Sequence, residues 1–483
     1  MIRKACVLAL FALTWIFYSW TARSDGKPFV FERRSNDYYN LLADGFLEGH
    51  LYLPVTPDPR LLQTPDPYDP AQNEPYRMQD VAFYRGKFYL YFGPAPVVTL
   101  LLPFRLIANY RLPERLAVVI FAFAGLVASY WSFQFIIRRF APKTPEYFSI
   151  VAVFLFGFCN FAPFILRRPA FYELAITSGY FYFFASVYLL LTGLFGERIS
   201  NWRLVAAAVC LGLTLASRPN YVVAVLVALG AAGSVLLWGD STRTPARFKQ
   251  LLALGLPFSV LVMILATYNY LRFDNIFEFG QHLQLEGLRM GKFFSSAYFM
   301  HNFRAYLLSA AHIDRHFPFF HLRTQRTQLY SVDYGEPVGG VLLTAPLLAL
   351  VFVLFPVWVL LIRDRTHFKH SRPLVILATL FGLNGFLMLL LLSFNGGLTE
   401  RYVLDFIPSL LFSAILVWII LNQSLAARRL HCLAMNAFLF LLLVFQVSLN
   451  LGVSLTGYYN NLHEENPAAY AKIRSWFSFI DRP

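Results

Sequence analysis

Apolar residues recur along this chain in runs of about twenty, separated by short polar connectors, and that pattern predicts membrane-spanning helices. The runs fall near 4–20, 115–137, 147–166, 174–195, 202–217, 219–238, 250–270, 338–362, 373–393, 402–421 and 431–452, about eleven in all. A further stretch, PAPVVTLLLPFRLI at 94–107, is short and broken by three prolines, and runs of that length lie at an interface more often than they span. Between the first two runs the period changes. In 37–48, Asp37, Asn40, Asp44 and Glu48 share one helical stripe, while Tyr38, Leu41, Leu42, Gly45 and Phe46 share another. That is the pattern of an amphipathic helix lying in the interface plane. Residues 81–92, VAFYRGKFYLYF, alternate around Arg85-Gly86 and predict a hairpin. The Pro/Asp-rich link at 54–80 repeats TPDP at 56–59 and 64–67, and its Asp58, Asp66, Asp69 and Glu74 lack the spacing of a calcium loop.

Composition supports the membrane assignment. Of 483 residues, 57% are hydrophobic and 14% charged, outside the range of soluble globular chains. The net charge of +14 does not point to nucleic acid, because the basic residues are dispersed among connectors. With the 94–107 stretch not spanning, the basic connectors at 138–143, 197–203, 241–249, 363–372 and 426–429 all fall on one side, read as cytoplasmic by the positive-inside rule. Arg3 and Lys4 precede the first run, which is read as a retained helix: it is longer than a signal-peptide core and no A-x-A follows it. The predicted layout is a first span (1–20), an outer segment (21–114), a transmembrane module (115–270), a second outer segment (271–337), C-terminal spans (338–452) and an outer tail (453–483). Short turns at 167–173, 217–220 and 395–401 join the outer side. The fold class is all-α polytopic membrane protein. Cys6, Cys159, Cys210 and Cys432 lie in apolar runs without CxxC or Cys/His spacing, so neither a disulfide framework nor a zinc site is expected.

The order of several weak motifs resembles the GT-C superfamily of integral-membrane glycosyltransferases, in particular the branch of protein mannosyltransferases and aminoarabinose transferases. NDYYNLLADGFL resembles that family's acidic residue and tyrosine opening a juxtamembrane helix; FGPAPVVTLLLPFRLIANYRLPERLAVVIFAFAG is similar to its proline-bearing helix and the start of the next span. FIIRRFAPK resembles its basic cytoplasmic turn, RRPAFYELAI its second external turn, and ERYVLDFIPSLL its closing helices. The match is best over 30–220. One departure is Gly93-Pro94-Ala95-Pro96, where the family carries a cation before two prolines; Lys87 is the substitute considered.

The resemblance implies transfer of a sugar from a polyprenyl-phosphate donor to a glycan, lipid or protein acceptor, by an inverting enzyme in a bacterial cytoplasmic membrane with its active face outside. No cofactor is implied. A phosphate leaving group requires cations to hold it, and the acceptor hydroxyl requires a carboxylate to take its proton. Asp37 is the expected base, with Glu173 as a second catalytic acid; Lys87, Arg168, Arg218, Arg272 and Arg401, with Tyr38, form the expected donor-binding set. Plainer readings stand beside these. Asp37 caps its own helix or binds a loop arginine, Glu173 forms an outer ion pair with Arg167 or Arg168, Arg218 and Arg401 snorkel, and Asp405 pairs with Arg401 at i,i+4 spacing. Asp44 is a weaker alternative base. His312 and His316, at helical i,i+4 spacing, are read as acceptor or lid surface in preference to a metal pair. Competing functions are an outer-face glycan polymerase or ligase, a lipid or glycan transporter, and a structural membrane subunit.

Overall fold

Within a bilayer an apolar segment must satisfy its own backbone hydrogen bonds, so the long apolar runs form helices. The computed structural model describes residues 2–34, 36–238, 244–286, 294–326, 335–363, 371–458 and 461–478. The chain opens with α1 (Ile2–Thr21), followed by the short α2 (Tyr38–Leu47), α3 (Pro59–Gln63) and α4 (Pro70–Asn73), and a hairpin of β1 (Ala82–Tyr84) and β2 (Lys87–Tyr89). A π-helical turn (Val97–Leu101) runs into α5 (Leu102–Ala108). The central module contains α6 (Glu114–Phe140), α7 (Phe148–Phe158), α8 (Ala162–Ile165), α9 (Phe171–Phe195), α10 (Asn201–Ser217), α11 (Val222–Trp238) and α12 (Thr244–Phe273). After α13 (Ser296–Leu308) come two small antiparallel pairs, β3 (His312–Ile313) with β4 (Phe320–His321) and β5 (Arg323–Arg326) with β6 (Gly335–Val338). The remainder is α14 (Val341–Thr344), a 3₁₀ stretch (Pro346–Val353) leading into α15 (Leu354–Arg363), then α16 (Arg372–Ser393), α17 (Val403–Ser424), α18 (Arg429–Thr456), α19 (Asn461–Glu465) and α20 (Pro467–Ser475).

Among the described residues, ten helical stretches are long and apolar enough to cross a membrane. The eleventh expected span, 202–217, is α10. Its 17 residues reach roughly 25 Å at 1.5 Å per residue, short of a hydrocarbon layer of about 30 Å. The proline-broken stretch is the helix Val97–Ala108, shorter still. Its π turn has a local cause: Pro103 has no N–H to return to the Thr99 carbonyl, so the ladder slips by one residue.

Helix α17 forms the centre, with every residue of its apolar window buried, whereas only 6% of the corresponding window of α12 is buried. Phe412 of α17 stacks on Phe381 at 4.2 Å and on Phe156 at 4.7 Å. A side chain at Gly385 would meet Leu410 at 2.6 Å, so this glycine lets α16 press against α17.

The segment between α1 and α6 contains the predicted hairpin and short helix, with differences in detail. Arg85 and Gly86 both adopt positive φ (48° and 72°), which is the two-residue turn whose twist suits a hairpin. The expected two-striped α2 is instead largely enclosed: Tyr39, Asn40, Leu41, Leu42, Ala43 and Gly45 are all buried. Asn40, from the polar stripe, is buried because its amide donates to the Leu112 carbonyl at 3.1 Å. The Gly93 departure also has a packing reason, since a Cβ there would fall 1.9 Å from the Ala216 carbonyl oxygen at the end of α10.

The segments placed on one side by their charges meet at one end of the helix bundle. Asn73 donates to the Leu285 carbonyl at 2.7 Å and Tyr84 to Asp274 at 2.8 Å, joining the two long segments. The tail joins them through Asn466, which donates to the Ser24 carbonyl at 3.0 Å, and Tyr470, which donates to the Phe317 carbonyl at 3.1 Å.

Candidate functional site

At that end lies a cavity of about 630 Å³ walled by the start of α2, the start of α6, the turn between α8 and α9, and the tail. Asp37 and Tyr38 line it together with Glu114, Arg167, Arg168 and Phe171. Asp37 occupies the N-cap position of α2 in an extended conformation, yet its side chain makes no capping hydrogen bond. Glu114 takes that role from across the cavity, accepting the Tyr39 N–H at 2.6 Å while only 5% exposed. The capping reading of Asp37 is thereby replaced: the first N–H groups of a helix need an acceptor, and the carboxyl group of Glu114 supplies it. Tyr38 packs its ring on Phe171, centres 4.6 Å apart, and donates its hydroxyl to the Gln79 carbonyl at 2.7 Å. Burial, reinforced by Asp80, Glu286 and Glu114, pushes its phenol up to about 12. Asp44, about two turns further along α2, is ion-paired with Arg111. Asp25 accepts two hydrogen bonds from Arg115, at 2.8 and 2.6 Å.

Behind Arg168 lies a buried charge cluster. Arg168 approaches Glu173 at 3.8 Å and Glu336 at 3.7 Å, with its guanidinium 4.1 Å from the Tyr458 ring centre. Arg401 approaches the same carboxylates at 3.7 and 2.8 Å, over the ring of Tyr172. Glu173 is fully buried; it caps its own helix by accepting the Ala170 N–H at 3.2 Å and accepts the Tyr458 hydroxyl at 3.1 Å. It does not line the cavity. Glu173 therefore corresponds to the ion-pair reading, and what it reaches toward the cavity is Arg168.

The rest of the expected phosphate set lies elsewhere. Arg218 is paired with Asp405 at 3.1 Å and stacked over Tyr402. This also corrects the Arg401–Asp405 expectation: the acid turns to another helix end. Arg272 is buried, donating to the Leu90 carbonyl at 2.7 Å and to Asn269 at 2.8 Å, with its guanidinium against Tyr268 and Phe273. Lys87, on β2, lies over the Tyr52 ring at 4.5 Å and does not reach the cavity. Each of these cations finds an internal partner, which the residue's position at a helix or strand end does not reveal. His312 and His316 do not share a helix: His312 is on β3, paired across from His321, and His316 is in the following turn.

Two cavity residues were not singled out from the sequence. Glu114 sits in RLPERLAV immediately before an apolar run, a signal of a helix start but not of its neighbour. Arg167 was read only as an ion-pair alternative for Glu173; it is 3% exposed and makes no such pair among the described residues. The doublet Arg167-Arg168 marked the turn, while which arginine faces which wall depends on the α8–α9 bend. No protein-family model, curated protein or solved structure matches this chain.

Proposed function

We propose that this protein is a membrane glycosyltransferase that moves a sugar from a polyprenyl-phosphate donor to an acceptor hydroxyl, with the cavity at Asp37 as its active site on the outer face. One observation carries the reading. Asp37 and Arg168, nominated from distant parts of the chain for opposite jobs, line the same cavity beside Tyr38. Transfer with inversion needs little else. The acceptor oxygen attacks the anomeric carbon, the bond from that carbon to the phosphate oxygen breaks, and the phosphate departs with the electron pair. The acceptor proton passes to the Asp37 carboxylate. Asp37 suits this by position: it stands at the start of α2 on the cavity wall, where Glu114 and not Asp37 accepts the Tyr39 N–H. Tyr38 and Phe171, their rings tilted at 41°, offer aromatic surface against which a sugar ring can pack.

The test is to incubate the purified protein in detergent or vesicles with a panel of radiolabelled polyprenyl-phosphate sugars and follow label into an acceptor or water. Consumption of one donor with release of polyprenyl phosphate is expected. Failure to consume any donor, in protein that is folded by thermal unfolding, removes the reading.

A further inference from the structure

Arg167 is buried in the wall of the cavity, and its Nε, Nη1 and Nη2 all lack a hydrogen-bond partner among the described residues. Every other arginine lining that cavity is engaged: Arg111 by Asp44, Arg115 by Asp25, and Arg168 by Glu173 and Glu336. The acids nearest in charge to Arg167 do not bond it. Asp25 spends both oxygens on Arg115, and Glu465 is an exposed residue of the tail. Burial lowers the Arg167 guanidinium to about 10, which still leaves it cationic at neutral pH. A desolvated cation with unused donors in a polar cavity calls for an anion, and the planar fork of arginine matches phosphate oxygens two at a time.

We infer that Arg167 is the receptor for a phosphate oxyanion, the headgroup of a phosphorylated lipid or a free phosphate. This rests on the transfer reading for its biological meaning: in that reading Arg167 holds the leaving phosphate in the cavity where Asp37 takes the proton. As a binding statement it stands on the cavity alone.

The probes are farnesyl phosphate, farnesol and inorganic phosphate, titrated calorimetrically into the purified full-length protein in detergent. Wild-type protein is expected to bind farnesyl phosphate and not farnesol. Inorganic phosphate binding as tightly as farnesyl phosphate still supports the oxyanion site and makes its source a free phosphate. Arg167→Met is expected to weaken the bound anion by about 10–100-fold, the loss of a charge-assisted pair of hydrogen bonds. Arg167→Lys keeps the charge but not the fork and should fall between. Without ligand, Arg167→Met should melt no lower than wild type, because a buried unpaired charge has been replaced by an apolar side chain; a purely structural arginine would show the reverse. Binding of neither phosphate by wild type, or unchanged affinity in both variants, overturns the inference. Asp37→Asn is expected to retain anion affinity while losing transfer; wild-type protein that binds phosphate through Arg167 but consumes no sugar donor refutes the transfer reading and leaves this one standing.

Discussion

Arg167 and Arg168 are neighbours in sequence and opposites in surroundings. Arg168 belongs to a cluster in which Glu173 has a donor on each oxygen, Arg401 and Glu336 sit 2.8 Å apart, and aromatic rings of Tyr172 and Tyr458 close the sides. Arg167, on the cavity wall, has none of these. Matched buried charges hold elements in register: the cluster ties the α8–α9 turn to β6, the start of α17 and the end of α18. Unmatched charges gain their partner from outside. The division of labour is thus between a rigid support and an open face, and it can be probed from both sides.

The largest expected effect is on chemistry at the open face. Asp37→Asn should cut turnover by about 10²–10⁴-fold, the usual contribution of positioned proton transfer, while shifting unfolding by no more than about 0.5 kcal/mol, as for exposed substitutions elsewhere. Single-turnover transfer and thermal unfolding on the same preparation measure both; near-normal turnover would take the base role away from Asp37.

On the support side the signs reverse. Glu173→Ala leaves two arginines, Arg168 and Arg401, to share the single carboxylate of Glu336, and this unbalancing of a buried cluster should cost about 3 kcal/mol and lower the melting temperature markedly. A stable Glu173→Ala protein that binds donor but does not turn over would mean that Glu173 acts in the chemistry after all, and the comparison would fail.

Lys87→Ala is a smaller perturbation. Its exposed cation–π contact with Tyr52 is worth about 0.5–1 kcal/mol, and donor affinity should not change. A loss of donor affinity equal to that of Arg167→Met would place Lys87 in the phosphate site despite its position on the hairpin.

The subtlest effect is on pH dependence. Burial pushes the Asp25 carboxyl up, but its bonds from Arg115 and from the Lys27 N–H outweigh this and leave it below the ordinary aspartate value of 3.8. A carboxyl depressed in the folded state contributes stability that is present above its unfolded value and lost as pH falls through the folded one. Wild type should therefore lose stability on acidification below about pH 4 more steeply than Asp25→Asn, in unfolding curves collected across pH. Parallel curves would show that the Asp25–Arg115 pair does not contribute.

Much of this architecture was legible in the sequence because its causes are local. Apolar runs become helices wherever the backbone has no water to bond, and their lengths follow the bilayer. Arg85-Gly86 makes a tight turn through its own dihedral angles. The basic connectors and the three short turns were sorted to two sides by charge and the alternation of spans; of those turns, 167–173 and 395–401 meet each other and Glu336 of the second long segment. Asp37 was legible as an acid at a helix start beside an aromatic.

Only the tertiary structure decided the partners. Asp405 is four residues from Arg401 and binds Arg218; the N–H of Tyr39 is next to Asp37 and binds Glu114; Arg167 and Arg168 share one turn, and one of them is satisfied. Periodicity reports which face a residue occupies along its own helix. The identity of the charge across from it is set by how helices far apart in the chain pack, and by the high cost of leaving any ion unpaired away from water. That cost forces each pairing once the helices are in place, and it is also what makes the buried, unbonded guanidinium of Arg167 informative.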